Sequence, residues 1–188
     1  MRRLVVGIAL VLTTALLSAS PHGERLHATL TGFQEVPSVV TPAHGEFKAQ
    51  ISSDESTIHY ELTFSGLVGT VQQAHIHIAQ RGVNGSIVIW LCQTTTTPAP
   101  PAVAGLTPFC PQSGSVSGTI TDANVIAAST TSQLITAGQL DKVIAAIRAG
   151  VAYANVHATP LNPGGEIRGQ IRADKGDDNG DDKGDHDH

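Results

Sequence analysis

Cysteine and basic charge are both scarce in this chain. It has only two cysteines, Cys92 and Cys110, and their spacing lacks the CxxC pattern of structural zinc sites, which disfavours metal binding by the pair. Lysine and arginine number 11 against 16 acidic residues, so there is no concentrated basic surface of the kind that nucleic acid binding needs. A phosphate-binding glycine loop, a dinucleotide fingerprint and a nucleophilic serine or cysteine in a supporting context are also lacking. These absences argue against nucleic acid as a partner and against an ordinary enzyme.

The first twenty residues have the composition of an export signal. The chain begins with Met1-Arg2-Arg3, and an aliphatic stretch from Leu4 to Leu17 follows. A basic start before an apolar core of about 14 residues is typical of a secretory signal, and such a core is too short to span a bilayer. We therefore predict a signal peptide at residues 1–20, with a retained anchor as the alternative. The protein is then expected to be secreted, periplasmic or extracellular, with no membrane span after cleavage.

The two cysteines are expected to form a disulfide, because an even number of cysteines in an exported chain favours oxidation. The bond between Cys92 and Cys110 would close a loop of 17 intervening residues. Residues 93–111 are rich in threonine and proline, which is typical of an exposed excursion. We therefore predict a loop at 93–111 that the disulfide ties at its base.

Short stretches of alternating apolar and polar residues recur from residue 26 to residue 172, with glycine, proline and asparagine turns between them. About eight such strands and one helix predict an all-β fold, an antiparallel and Greek-key-like β-sandwich or barrel with one short helix. Thr136 and Gln139 have the spacing of a capping box at the start of this helix, and Gly150 can end it. Its apolar face is predicted to consist of Leu140, Val143, Ile144 and Ile147.

The C-terminal segment differs in composition from the rest of the chain. No apolar residue occurs from Asp174 to His188, and the net charge of −5 arises in these fifteen residues. Residues 173–188 are therefore predicted to be a disordered acidic tail. Its Asp pairs and last histidines could collect cations, but the absence of a calcium loop closed by a glutamate favours a solvated tail.

The most distinctive chemical pattern is a His-x-His pair on a predicted strand. Because side chains alternate along a strand, His75 and His77 share one face, and the apolar residues between and beside them share the other. The turn at Asn84-Gly85 then predicts a hairpin with the following β-branched run. A later strand repeats the pattern, with three polar side chains on one face, Tyr153, Asn155 and His157.

These histidines support two interpretations. Neutral imidazoles suit copper or zinc, so His75, His77 and His157 could form a metal site distantly similar to that of copper-zinc superoxide dismutase, another β-sandwich. That pattern calls for further histidines and an aspartate that this chain does not place, so dismutase activity is the minor alternative. The other interpretation is a hydrogen-bonded polar layer of the three histidines and Asn155, which needs no ligand.

Two charged residues lie on one face of the last predicted strand. Glu166 and Arg168 are two positions apart, so they are expected to point the same way. An ion pair at the protein surface is the interpretation we favour, because hydrolytic chemistry would need a second placed acid.

Four motifs in order resemble the CHRD domain family, which is named after chordin, an extracellular antagonist of bone morphogenetic proteins, and occurs widely in bacterial secreted proteins. The motifs are Thr29 to Pro37 (TLTGFQEVP), Ala74-His75-Ile76-His77 with Gly82-x-Asn84-Gly85, Ala145 to Gly150 with Tyr153-x-Asn155-Val156-His157, and Pro163 to Ile171.

The resemblance covers nearly all of the predicted folded body and implies an extracellular, β-sandwich-like module of the bacterial secreted type. It does not imply an activity. We therefore predict a secreted, non-enzymatic module with a binding or structural role, whose partner is an unknown extracellular protein or polymer. The alternative is a copper- or zinc-binding metalloprotein that uses the His-x-His strand.

Overall fold

The computed structural model describes residues 23–174, so the predicted signal peptide at 1–20 and all but the first two residues of the predicted tail lie outside the described part. Within it, no helix is long and apolar enough to cross a membrane. The regular elements are β1 Glu24–Thr31, β2 His44–Ile51, β3 Ile58–Ser65, β4 Thr70–Ile78, β5 Ser86–Cys92, α1 Pro101–Ala104, β6 Gly114–Ile120, α2 Leu140–Arg148, β7 Ala152–Thr159, β8 Asn162–Gln170 and β9 Arg172–Ala173.

The strands form one antiparallel sheet in the order β5-β4-β7-β8-β1-β2-β3-β6, with β9 paired to β1. The sheet curls until its two end strands, β5 and β6, come into contact. Near this seam the Ile126 N–H donates a hydrogen bond of 2.9 Å to the Val88 carbonyl on β5. The fold is therefore a nearly closed barrel, which confirms the all-β, antiparallel prediction.

The interior of the barrel is filled by the apolar residue of each alternating pair, as period-two patterning predicts. The Tyr60 hydroxyl crosses this interior from β3 and donates a 2.6 Å hydrogen bond to the Leu91 carbonyl on β5. Burying each large aliphatic or aromatic chain contributes about 1.5–3 kcal/mol to folding. The largest fully buried apolar side chains are Phe47, Leu26, Leu30, Ile51, Ile58, Leu62, Ile76, Ile89, Leu91, Ile120 and Leu140.

The predicted helix is present, but its start differs from the expectation. It begins at Leu140 because Gly138 adopts a positive φ of 81°, which interrupts a helix. The Gln139 side chain still accepts a 2.8 Å hydrogen bond from the Thr136 N–H, but it does so in the turn before the helix. The first helical N–H, that of Leu140, instead donates to Asp122 Oδ1 at 3.1 Å. The predicted apolar face and the end of the helix before Gly150 are confirmed.

The predicted disulfide between Cys92 and Cys110 is present, with an S–S distance of 2.06 Å. The excursion that it ties is only partly exposed, contrary to the prediction. Gln93 is buried, and its Nε2 donates to the carbonyls of Ala104 (2.7 Å) and Thr107 (2.6 Å). Helix α1 therefore folds back onto β5, where buried apolar side chains form a second, small cluster, Trp90, Ala99 and Val103.

Candidate metal centre

The predicted histidines lie on the outer face of the barrel wall. The residues that alternate with them on β4 and β7 belong to the core, so the histidines point away from it. Loops nevertheless cover this face, and all three imidazoles are buried. Core residues on the inner face of the same two strands are Ala74, Ile76, Ala154 and Val156.

Sheet register brings the polar side chains together. Strand β7 lies between β4 and β8, so His75 pairs with Asn155, and Asn155 pairs with Arg168. His157 lies opposite Gln73, two pairs away from His75 along β4 and therefore on the same face. The expectation that both strands present a polar face is therefore confirmed, and the two faces are adjacent.

The three imidazoles converge on one point. One ring nitrogen from each of His75, His77 and His157 can be chosen so that all three lie within 4.8 Å of one another. His75 Nδ1 lies 3.2 Å from His157 Nε2. His77 Nε2 and His157 Nε2 each lie 3.1 Å from Asn155 Oδ1. Four polar atoms thus lie close together, and the widest pair of nitrogens, up to 4.8 Å apart, would move closer when one ion binds all three at about 2.0–2.1 Å.

The far nitrogen of two rings is fixed by the backbone. His77 Nδ1–H donates to the Gly85 carbonyl and His157 Nδ1–H donates to the Pro163 carbonyl, each at 2.9 Å. In a neutral ring these bonds leave Nε2 as a lone-pair acceptor that points into the cluster. Backbone carbonyls commonly orient metal-binding histidines in this way. His75 differs, because its Nε2 is buried and has no partner.

Burial keeps the cluster uncharged. Desolvation lowers the pKa of His75 well below 6.5, and the neighbouring His157 and His77 lower it further. Desolvation also lowers the pKa of His77 to about 4, against the raising effect of its hydrogen bond to Gly85. The pKa of His157 is lowered by burial as well. All three rings are therefore neutral at neutral pH, the form that binds metal ions.

This neutral cluster holds more acceptors than donors, because only the Nδ1–H of His75 can donate within it, to His157 Nε2 at 3.2 Å. Asn155 Oδ1 is an acceptor, as are the inner nitrogens of His77 and His157, and acceptors at 3.1 Å repel one another. A cation at the centre would satisfy all of them. A rotated Asn155 amide, donating from Nδ2 to both rings, is the arrangement that the polar-layer interpretation requires.

Aromatic side chains enclose the cluster. Trp90, which the sequence analysis did not include, places its ring centroid 4.3 Å from that of His75 in an edge-on contact. Tyr153 stacks on His77 with a centroid distance of 4.7 Å and an interplanar angle of 3°. Their proximity follows from register, because Trp90 pairs with His75 and Tyr153 pairs with His77.

The expected surface ion pair on β8 is wrong. Glu166 and Arg168 are 0% and 2% exposed, and they do not bond to each other. Their strand lies between β7 and β1, and loops cover its outer face. Arg168 donates to Asn84 Oδ1 and the Val83 carbonyl, both at 3.1 Å, and its guanidinium carbon lies 3.6 Å from the centre of the Tyr153 ring.

Glu166 Oε1 is used to join two loops. It accepts hydrogen bonds from Thr41 Oγ1 at 2.6 Å and from the Val68 N–H at 2.8 Å. These contacts tie the β1–β2 and β3–β4 connections to β8. Glu166 Oε1 therefore has a structural role, whereas Oε2 is buried and has no hydrogen-bond partner.

Glu35 is a second residue that the sequence analysis missed. It is buried beside a cleft of about 350 Å³ formed by residues 33–38 and 81–82. Desolvation raises the pKa of Glu35 to about 7, although the positive charge of Arg168 opposes the rise. Its Oε1 has no hydrogen-bond partner and points toward Gly165, where a Cβ would lie 2.6 Å from Oε1 and 3.0 Å from Asn155 Nδ2. Its position within the Thr29 to Pro37 motif was the available sequence signal.

These features define an antiparallel β-barrel module with a buried imidazole cluster on its outer wall. The family model described as the CHRD domain matches residues 26–171. The match covers most of the chain, and the protein belongs to the CHRD domain family. No curated protein and no solved structure shows significant similarity to it.

Proposed function

We propose that this CHRD module binds one copper or zinc ion through His75, His77 and His157. The observation that supports this most directly is the convergence of three buried, neutral imidazoles whose candidate ligand atoms lie within 4.8 Å of one another. Backbone carbonyls hold two of these rings with Nε2 directed inward. Imidazole nitrogens are suitable ligands for both metals, and three protein ligands with one open position form a known zinc arrangement.

Residues 23–174 contain a single group of this kind. The bridged, two-metal arrangement of copper-zinc superoxide dismutase would need a second ligand set. Our proposal is therefore metal binding by a non-enzymatic module, and dismutase activity is not part of it. When bound, the ion would supply Lewis-acid or redox chemistry at the cluster.

Metal content of the full chain tests this proposal. After removal of metal by a chelator, the protein is incubated with copper or zinc, desalted and analysed by mass spectrometry. We expect about one ion per chain in the wild type and in His59→Ala, whose imidazole bonds to Thr119 away from the cluster. The double variant His77→Ala, His157→Ala is expected to lose the ion.

Two further measurements show whether the ion is bound at the cluster and not at the tail. A His186→Ala, His188→Ala variant removes the tail histidines and is expected to keep the ion. Trp90 is the only tryptophan in the chain and touches His75, so its fluorescence reports binding at the cluster directly. No uptake by the wild type, or full uptake by the double variant, would overturn the metal site. The cluster would then be a polar layer with a rotated Asn155 amide.

We also propose that the module is exported and acts as a binding or structural domain on an extracellular protein or polymer, as a bacterial-type secreted member of its family. Three features support export, the composition of residues 1–20, the disulfide and the CHRD family itself. N-terminal sequencing of protein recovered outside the cytoplasm is expected to begin near residue 21. An intact N-terminus on membrane-bound protein would support the retained anchor instead.

A further inference from the structure

We propose that the ion at this cluster is monovalent copper, Cu(I), in preference to Cu(II) or Zn(II). This inference rests on the proposed three-histidine site and names the ion that it selects. Three features of the site support it, the neutral charge of the imidazole ligands, the positive charge of the nearby Arg168 and the number of suitable ligands.

The candidate ligands carry no charge to offset that of the ion. All three are neutral imidazoles, and no carboxylate joins their group among residues 23–174. Both cysteines are in the disulfide, so no thiolate is available. The cost of moving an ion from water into a buried site rises with the square of its charge. A neutral, buried ligand set therefore favours the ion of lower charge.

A fixed positive charge lies beside the cluster. The guanidinium carbon of Arg168 lies 3.6 Å from the centre of the Tyr153 ring. The His77 ring stacks on the same tyrosine, with 4.7 Å between the two ring centres. The guanidinium is therefore within about 9 Å of the centre of the His77 ring.

This positive charge is not cancelled by an ion pair. Arg168 donates to two neutral oxygens, Asn84 Oδ1 and the Val83 carbonyl, and it is absent from the salt bridges of the described residues. The positive charge of Arg168 also acts on the carboxyl group of Glu35, but burial favours the neutral form of that group below pH 7. Over about 10 Å at an effective dielectric constant of about 20, Arg168 disfavours a divalent ion over a monovalent one by on the order of tenfold in affinity.

The number of ligands points to the same ion. Zn(II) almost always takes four ligands, with a water in the fourth position where the protein supplies three, whereas Cu(I) is stable with three ligands. The aromatic rings of Trp90 and Tyr153 pack against His75 and His77 and limit the room for additional polar ligands. The fourth polar atom of the cluster is the amide oxygen Asn155 Oδ1, which suits copper or zinc less well than imidazole does. An ion that is stable with three nitrogen ligands therefore fits these residues better.

The test compares affinities for the two charge states in the full chain at pH 6.5. Cu(I) is added without oxygen in competition with a chromophoric Cu(I) chelator, and Zn(II) is added in competition with a fluorescent indicator. We expect the wild type to retain Cu(I) in the presence of excess Zn(II), and the reduction potential of bound copper to lie above that of the aqueous ion. Zn(II) binding that displaces Cu(I) would overturn this inference and leave the proposed metal site intact, whereas binding of neither ion would overturn both.

A matched pair of variants tests the role of charge. Arg168→Met removes the positive charge, and Arg168→Lys keeps it. We expect Arg168→Met to raise the Zn(II) affinity relative to the Cu(I) affinity by on the order of tenfold, and Arg168→Lys to leave the ratio near that of the wild type. Equal ratios in the two variants would contradict the argument from charge. If Arg168→Met does not fold, the reduction potential of copper bound to the wild type still tests the preference for Cu(I). A potential below that of the aqueous ion would show preference for Cu(II) and would overturn the inference.

Discussion

Replacement of Glu35 by glutamine is expected to stabilise the metal-free protein at alkaline pH. The pKa of this buried carboxyl is raised from 4.5 to about 7, chiefly by desolvation. Between these two values the folded state holds a proton that the unfolded state has released. Stability therefore falls as pH rises through this window, and the loss is complete above pH 7.

The magnitude follows from the size of the pKa change. A rise from 4.5 to about 7 corresponds to about 3 kcal/mol of unfolding free energy once the group is ionised in both states. Glutamine has nearly the same shape and cannot ionise. Glu35→Gln is therefore expected to be more stable than the wild type by about 3 kcal/mol at pH 8.5, with the difference vanishing near pH 4.5.

Urea unfolding followed by the fluorescence of Trp90 measures this difference, with a chelator present at pH 5 and pH 8.5. Glu61→Gln, at an exposed position on β3, is the control and is expected to change stability by less than about 0.5 kcal/mol at either pH. The buried histidines titrate in both the wild type and the variant, so the comparison isolates Glu35. A difference that is the same at both pH values, or a less stable variant at pH 8.5, would refute the reasoning.

Acidification is expected to destabilise the metal-free protein through its buried histidines, because unfolded rings bind a proton below pH 6.5 and the folded His77 does so only near pH 4. His77 alone accounts for about 3 kcal/mol at pH 4, and His77→Gln should flatten the profile of urea midpoints against pH. Gly165→Ala is expected to lower the melting temperature, since φ is +126° and the new Cβ would lie 2.6 Å from Glu35 Oε1. The control Gly164→Ala, where nothing lies within 4 Å, should change it little. Alanine at both cysteines is expected to reduce the unfolding free energy by about 3 kcal/mol, as measured by urea titration, and an unchanged midpoint would contradict a stabilising disulfide.

Local patterns predicted the faces of the elements correctly. The alternation in β4 and β7 separated histidines from core residues, and the 3.6-residue pattern of α2 identified its buried side. These patterns are local, because backbone geometry fixes where consecutive side chains point. Adjacency of β4 and β7 is a long-range property that no local pattern records, and the prediction that His157 could join His75 depended on the repeated polar face alone.

The sequence could not predict what covers the outer face. Arg168 and Glu166 have the spacing of solvated strand residues, yet loops remote in sequence bury both of them. The threonine- and proline-rich composition of residues 93–111 likewise predicted exposure and gave no sign that α1 packs against Trp90. In each case the decisive contact is made between distant segments, and no local period records it.

Placement of the histidines on a barrel wall makes the cluster sensitive to insertions and deletions in specific places. Successive side chains on a strand point to opposite faces, so one residue added to β4 before His75 would turn the imidazoles toward the interior and the core residue Ile76 outward. Additions to the loops around the barrel leave this parity unchanged. Chains of this architecture that keep the cluster are therefore expected to vary in length between strands and to conserve the residue count within β4 and β7.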